Sequence, residues 1–272
     1  MDFDSEYSLL LENVGYNYNG IRALDSISLT VSPGTLTALI GPNGSGKTTL
    51  LKVASGLLDF NQGSVSIMGW DIRQITPMRR SQLVSFAPSG VDFTFNYSVL
   101  EAVSQGRSPH LDMLGNLTDK DHEKINCAVS RLALQDFTKR GVNQLSQGEK
   151  ERVVIARHLA QDAPLMLFDE NLAHLDLKHR ISVMKELKAL ASEGKSVIVA
   201  MHDIEFAARF FQRAILMRDG VILKEGSRDR IFQPEVLKEA YELDFKLLNS
   251  GNPDEISIIP SMPGNCSAEA WE

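Results

Sequence analysis

The stretch GPNGSGKTT, Gly41 to Thr49, restricts the possible folds more than any other part of this sequence. It fits the pattern G-x-x-x-x-G-K-[ST], in which glycines let the backbone curl so that successive N–H groups face one anion. The pattern needs a buried strand before it and a helix after it, and both are legible. LTALIG is a compact apolar run without alternation, as a strand covered on both faces would be, and helical signals run from Gly46 to Leu58. The helix N-terminus adds its partial positive charge. The whole loop (Gly41, Pro42, Asn43, Gly44, Ser45, Gly46, Lys47, Thr48 and Thr49) is therefore expected to bind a nucleoside triphosphate. Lys47 would reach the β- and γ-phosphates, and the Thr48 hydroxyl would hold Mg²⁺.

The rest of the chain supports an α/β fold. PLMLFDE and SVIVAMH are two more buried-strand candidates, separated by the amphipathic LKHRISVMKELKALASEG with Gly194 as its stop. Strands alternating with helices predict a mainly parallel sheet. Residues 7–40 read as strands, with SLLLENVGY and SISLTVSPG alternating apolar and polar residues. From about Phe93 to Leu159 the character is mainly helical, an expected insertion into the α/β unit. The expected organisation is one domain over residues 1–250, with a helical subdomain at about 93–159. Residues 251–272, rich in Pro, Gly and Ser, form a loosely attached tail.

Composition excludes several classes of function. With 43% hydrophobic and 23% charged residues, this is an ordinary globular composition. No apolar run approaches the length that crosses a bilayer, and the acidic MDFDSEYS lacks the features of a signal peptide. Cys127 and Cys266 are expected to be free thiols in a reducing, cytoplasmic compartment. The net charge of −7 argues against nucleic acid as a partner. Met166, Met184 and Met217 read as core filling.

Three other places carry chemistry. Asp169 and Glu170 end the run PLMLFDE. Asp169 suits the Mg²⁺ shell, directly or through water, and Glu170 would polarise an attacking water. Such a pair is also common at strand ends without any catalytic role; the phosphate loop favours the catalytic reading. His202 ends SVIVAMH, where it is either a structural histidine or an imidazole touching both the γ-phosphate and the attacking water. Finally, in LSQGE, Ser146, the Gly148 backbone and a helix N-terminus make an anion site.

In this order the segments resemble those of the ATP-binding subunit of ABC transporters: the phosphate loop at 41–48, LSQGE at 145–149, LMLFDE at 165–170, AHLD at 173–176 and MHD at 201–203. The match runs from about residue 8 to 245. The resemblance implies an α/β P-loop NTPase core of the RecA-like type, with an N-terminal antiparallel β subdomain and an inserted helical subdomain. It also implies a head-to-tail homodimer sandwiching two ATP molecules. Ser146, Gln147, Gly148 and Glu149 would then face the partner's γ-phosphate, and Asp176 would reach the opposite site. Tyr18 takes the position that stacks on adenine, with Tyr16 as the alternative; either is also open to a packing role. His174 and His179 read as exposed residues without a metal.

SVLEAVSQGRSPHL, FTKRGVNQLSQGE and the ending IFQPEVLKEAYELDFKLLNSGNPDEISIIP resemble the ATPases of iron–siderophore, haem and cobalamin importers, with a tyrosine-bearing helix and then a strand closing on IP. Implied partners are membrane permease subunits and, indirectly, a solute-binding protein, at the cytoplasmic face of the cell membrane. Three segments depart from the family pattern. Ser89 stands where a glutamine that helps hold Mg²⁺ and water is usual, LSQGE replaces LSGGQ, and Asn171 replaces the proline after the acidic pair. Gln82 and Gln105 do not fall at the glutamine position. Two other readings compete: an ATP-gated regulatory subunit with little turnover, and a soluble ABC ATPase outside transport.

Overall fold

The computed structural model describes residues 5–90, 93–173, 175–249 and 256–261. The chain begins with a hairpin, β1 (Leu9–Tyr18) and β2 (Ile21–Val31). Its two-residue turn, Asn19 and Gly20, has φ of 46° and 89°, the left-handed pair whose twist matches that of the strands. β3 (Leu36–Ile40) leads through the phosphate loop into α1 (Lys47–Ala54). β4 (Gln62–Ile67) returns to β1 and pairs with the short β5 (Trp70–Asp71), so the first sheet is antiparallel in the order β2-β1-β4-β5. α2 (Pro77–Leu83), capped by the Thr76 side chain, runs into β6 (Val84–Ala87).

Between β6 and the next strand lies the helical run. It contains α3 (Val99–Ser104), a 3-10 turn over Gln105–His110, α4 (Asp119–Arg131) and α5 (Gln147–Gln161). β7 (Leu165–Asp169), α6 (Leu177–Ser192), β8 (Ser196–Ala200), α7 (Ile204–Phe210), β9 (Arg213–Arg218) and β10 (Val221–Ser227) follow. The chain closes with α8 (Arg228–Ile231), α9 (Pro234–Tyr241) and the antiparallel pair β11 (Phe245–Asn249) and β12 (Ile256–Pro260).

The central sheet has the order β10-β9-β3-β8-β7-β6 and is parallel except for β10 at its edge. Its inner strands are apolar on both sides because each side meets a different core. Ala38, Ile40, Met166, Phe168, Val197 and Val199 join the core shared with the helical run. Leu39, Leu165, Leu167, Ile198 and Ala200 join the core beneath the antiparallel sheet. Strand period two thus becomes a partition between two cores. Met166, Met184 and Met217 are all buried, as expected of core filling.

The structure revises the reading of the tail. Ile256–Pro260 is a strand paired with β11, Ile258 is buried in the larger core, and the Ser257 hydroxyl donates to Glu205 of α7. The expectation of loose attachment therefore does not hold over this stretch: an apolar side chain with a partner strand and a helix to cover it outweighs the flanking Pro, Gly and Ser. Cys127 is an exposed free thiol, whereas Cys266 and His174 lie outside the described residues. Among the described residues, no helix is long and apolar enough to cross a membrane.

A buried ion pair ties the helical run together. Arg107 donates through Nε to Asp121 Oδ1 at 2.8 Å and through Nη1 to the Ala160 carbonyl at 2.7 Å. Burial alone would raise the Asp121 carboxyl, but the Thr118 hydroxyl and amide together with Arg107 outweigh it and lower the pKa from 3.8 to about 2. Because the folded value lies below the unfolded one, this stabilisation is present above about pH 4 and is lost as pH falls through about 2. Asp121→Ala is expected to destabilise the fold by about 3 kcal/mol at pH 7. In urea unfolding the gap to the unsubstituted chain should narrow steadily below about pH 4.

Candidate functional site

Four adjacent parallel strands end along one edge of the sheet: β3 at Gly41, β8 at His202, β7 at Asp169 and Glu170, and β6 at Pro88 and Ser89. Ligands collect at such carboxyl ends because loops and helix N-termini converge there. A cleft of about 420 Å³ opens at this edge, lined by Asn43 to Thr49 with Tyr18, Ala23, Glu170 and His202. A smaller cavity of about 180 Å³ beside Gly34, Phe210 and Arg213 has neither a carboxylate nor a histidine in its lining.

Sterics dictate the loop's glycines. A Cβ on Gly41 would lie 2.2 Å from the Met217 carbonyl oxygen, and one on Gly46 would lie 2.7 Å from that of Ala23. Both residues also have positive φ, 154° and 100°. Gly46 starts α1 with no side-chain cap, so the first amides of the helix are left for an anionic ligand. Lys47 is buried, and its Nζ donates to the carbonyls of Gly41 at 2.8 Å and Pro42 at 3.0 Å. An ammonium has three hydrogens, so one donor remains for a phosphate oxygen. Burial lowers the Lys47 pKa, against the attraction of Glu170 and Asp169.

Across the loop, the Thr48 hydroxyl donates to Asp169 Oδ1 at 3.0 Å. Burial raises the Asp169 carboxyl, the Thr48 bond opposes this, and neighbouring Glu170 adds to the rise. A hydroxyl and a carboxylate in contact form a hard-oxygen donor set that fits Mg²⁺. Beside them, His202 Nε2 lies 2.5 Å from Glu170 Oε1. Glu170 has φ of 60°, a left-handed conformation that an ordinary side chain adopts only under constraint. Its amide donates to the Ala200 carbonyl at 3.1 Å, and its carbonyl accepts from the Ala173 amide at 3.0 Å.

The fold therefore brings together the loop, Tyr18, Asp169, Glu170 and His202. Tyr18 lines the cleft, and Tyr16 packs edge-on against it with ring centroids 4.7 Å apart. The residues of LSQGE and Asp176 are not among those lining the cleft. Ser146 caps α5 in a reciprocal box with Glu149: the Ser146 amide and hydroxyl donate to Glu149 Oε2 at 2.7 and 2.8 Å. Gln147 folds back along its own helix towards Glu151. Asp176 caps α6, accepting from the His179 amide at 2.9 Å, with His179 Nδ1 at 2.8 Å from its other oxygen. His179 is thus half-buried and a partner of that cap, not the plainly exposed residue expected. Ser89 is exposed at the end of its strand, Gln82 donates to Pro109, and Gln105 is exposed.

Residues 24–173 match the family described as ABC transporter, more than half of the chain. The chain belongs to the ABC transporter family. The cobalamin import ATP-binding protein of Halobacterium salinarum is 32% identical over 252 residues, which cover 92% of this chain and 63% of that relative. This chain thus spans less than two thirds of the halobacterial protein's length. The iron(3+)-hydroxamate import ATP-binding protein of Bacillus subtilis is 31% identical over 242 residues, 89% of this chain and 90% of the relative. A dimeric bacterial ABC transporter cassette aligns with a TM-score of 0.73 and 29% identity, over 81% of this chain and 98% of the cassette.

Beyond the ABC motifs, the sequence reading missed Glu151, a fully buried carboxylate in α5. Its signal was a charged residue among the apolar positions of an otherwise amphipathic helix. Three substitutions separate the contributions of the lysine and the two tyrosines. Lys47→Ala is expected to weaken ATP binding at least tenfold, the order of a lost charged hydrogen bond. Tyr18→Ala should weaken it about fivefold through lost stacking, and Tyr16→Ala less than either, as titration with a fluorescent ATP analogue would measure.

Proposed function

We propose that this chain is the ATP-hydrolysing subunit of an ABC import system, energising uptake of a solute of the iron–siderophore, haem or cobalamin class. One observation carries the reading: a phosphate loop with a free lysine donor, the Thr48–Asp169 pair and the Glu170–His202 pair all stand around one cleft. The import class is supported by the relatives whose names give cobalamin and iron(3+)-hydroxamate as their solutes.

The residues divide the work. Lys47 and the first amides of α1 bind and orient the triphosphate, and Tyr18 takes the adenine face. Thr48 and Asp169, already in contact, would hold Mg²⁺, which would supply neutralisation of phosphate charge there. Glu170 accepts a proton from the water that attacks the γ-phosphorus, and His202, hydrogen-bonded to Glu170, keeps that carboxylate aimed. Two chains pair head to tail as a homodimer, each offering Ser146 to Glu149 and Asp176 to the other's ATP. The dimer docks from the cytoplasmic face onto membrane permease subunits, which receive solute from a separate binding protein.

Glu170→Gln is expected to lower kcat by at least about a hundredfold while retaining ATP affinity. With ATP it should accumulate as a dimer by light scattering; a monomer with ATP bound would count against the paired arrangement. Ser89→Gln should raise the slow Mg²⁺-dependent turnover expected of a chain whose short serine cannot reach the nucleotide, and an unchanged or lower rate would remove that explanation. Affinity capture from detergent-solubilised native membranes is expected to recover a polytopic permease in stoichiometric amount. Recovery with ribosomal or DNA-associated proteins alone would overturn the transport reading.

A further inference from the structure

Directly behind Glu170 the chain buries a polar side chain that binding and hydrolysis, as described, leave without a task. Asn171 is 0% exposed. Its Nδ2 donates to the Pro88 carbonyl at 2.8 Å, and the same nitrogen lies 3.5 Å from Glu151 Oε2. Glu151, 1% exposed, accepts through its other oxygen from Gln147 Nε2 at 3.4 Å. An amide nitrogen carries two hydrogens and a carboxylate two oxygens, so the connections use each group once. This also fixes the amide's orientation: turned over, Oδ1 would face two acceptors. The bond to Pro88 is the short one, and the two to Glu151 are long.

The location gives the network its meaning. Glu170 holds φ of 60°, and a strained residue persists only where its surroundings over-determine it. Backbone bonds secure it on one side to Ala200 and on the other to Ala173. Asn171 adds a third anchor, to the last residue before Ser89, and Glu151 extends that anchor to the first turns of α5, whose cap is Ser146.

We propose that Asn171 and Glu151 are positioning residues for ATP hydrolysis. They pin the left-handed turn at Glu170 between the end of β6 and the start of α5, and so keep the Glu170 carboxylate against His202. A displacement of α5 at its Ser146 end reaches Glu170 through these two side chains. The inference rests on the hydrolytic function proposed above and assigns it residues outside the cleft.

Steady-state ATPase kinetics on isosteric variants test it. Asn171→Asp removes both donor hydrogens and sets a second carboxylate against Glu151; kcat should fall about tenfold with KM for ATP changed less than about twofold. Glu151→Gln should lower kcat about threefold, again with KM held. The double variant restores one donor–acceptor pair in reversed sense, so it should turn over faster than Asn171→Asp alone. Should Asn171→Asp fail to fold, as thermal unfolding would reveal, the kcat-against-KM split in Glu151→Gln decides. Wild-type turnover in both single variants, losses that simply multiply in the double variant, or a rise in KM matching the fall in kcat would overturn the inference and leave the hydrolytic function intact. Absence of turnover in the unsubstituted chain would remove both.

Discussion

Hydrogen-bond register between β3, β8 and β7 sets the relative positions of the phosphate loop, the acidic pair and His202. Leu39 pairs with Ala200, and Ala200 pairs with Asp169. The same rung continues beyond the ladder, where the Met201 amide donates to the Leu39 carbonyl and the Glu170 amide to that of Ala200. The loop after β3, the acidic pair at the end of β7 and the histidine after β8 are therefore fixed relative to one another by backbone bonds. A slip of one residue in any of these strands would exchange the side chains facing the two cores, so burial on both faces protects the register. Precision at the site is thus maintained by packing well below it.

Electrostatics adds a second constraint. The cleft holds a buried ammonium, a buried carboxylate and a second carboxylate within a few side-chain lengths of one another, and the chain as a whole is acidic. Burial pushes Lys47 and Asp169 each towards its neutral form, and the carboxylates that Lys47 faces oppose its shift. Such a site is suited to a ligand that brings negative phosphate together with a cation, since each component answers one of the two buried signs.

Much of this was legible in the sequence because the decisive signals are local. The loop's glycines, the acidic pair at a strand end and the unbroken apolar runs each encode their structure within a few residues, and the parallel sheet follows from the alternation of strands and helices. What escaped was non-local. Asn171 and Glu151 lie 20 residues apart; the first stands out only as a departure from the family pattern and the second only as a charge among apolar positions, and the packing of α5 against the end of β7 is what gives them a common purpose. For β12, the resemblance offered a strand closing on IP while the Pro, Gly and Ser surroundings suggested a loose tail, and it is β11 and α7 that hold the strand in place. The residues proposed to act on a partner chain rest on family resemblance alone, since a single chain would hold only half of each such contact.

The two carbonyls that hold the Lys47 ammonium have a consequence for selectivity. A lysine end-group normally samples many directions, and fixing one on a ligand forfeits that freedom. Here the freedom is already surrendered to the loop's own backbone, so the remaining N–H has a set bearing before any nucleotide arrives. Recognition becomes angular as well as electrostatic: an anion of the right charge that approaches off that bearing gains little. The loop acts as a sighted receptor, and its accuracy derives from the closed turn that the missing side chain of Gly41 permits.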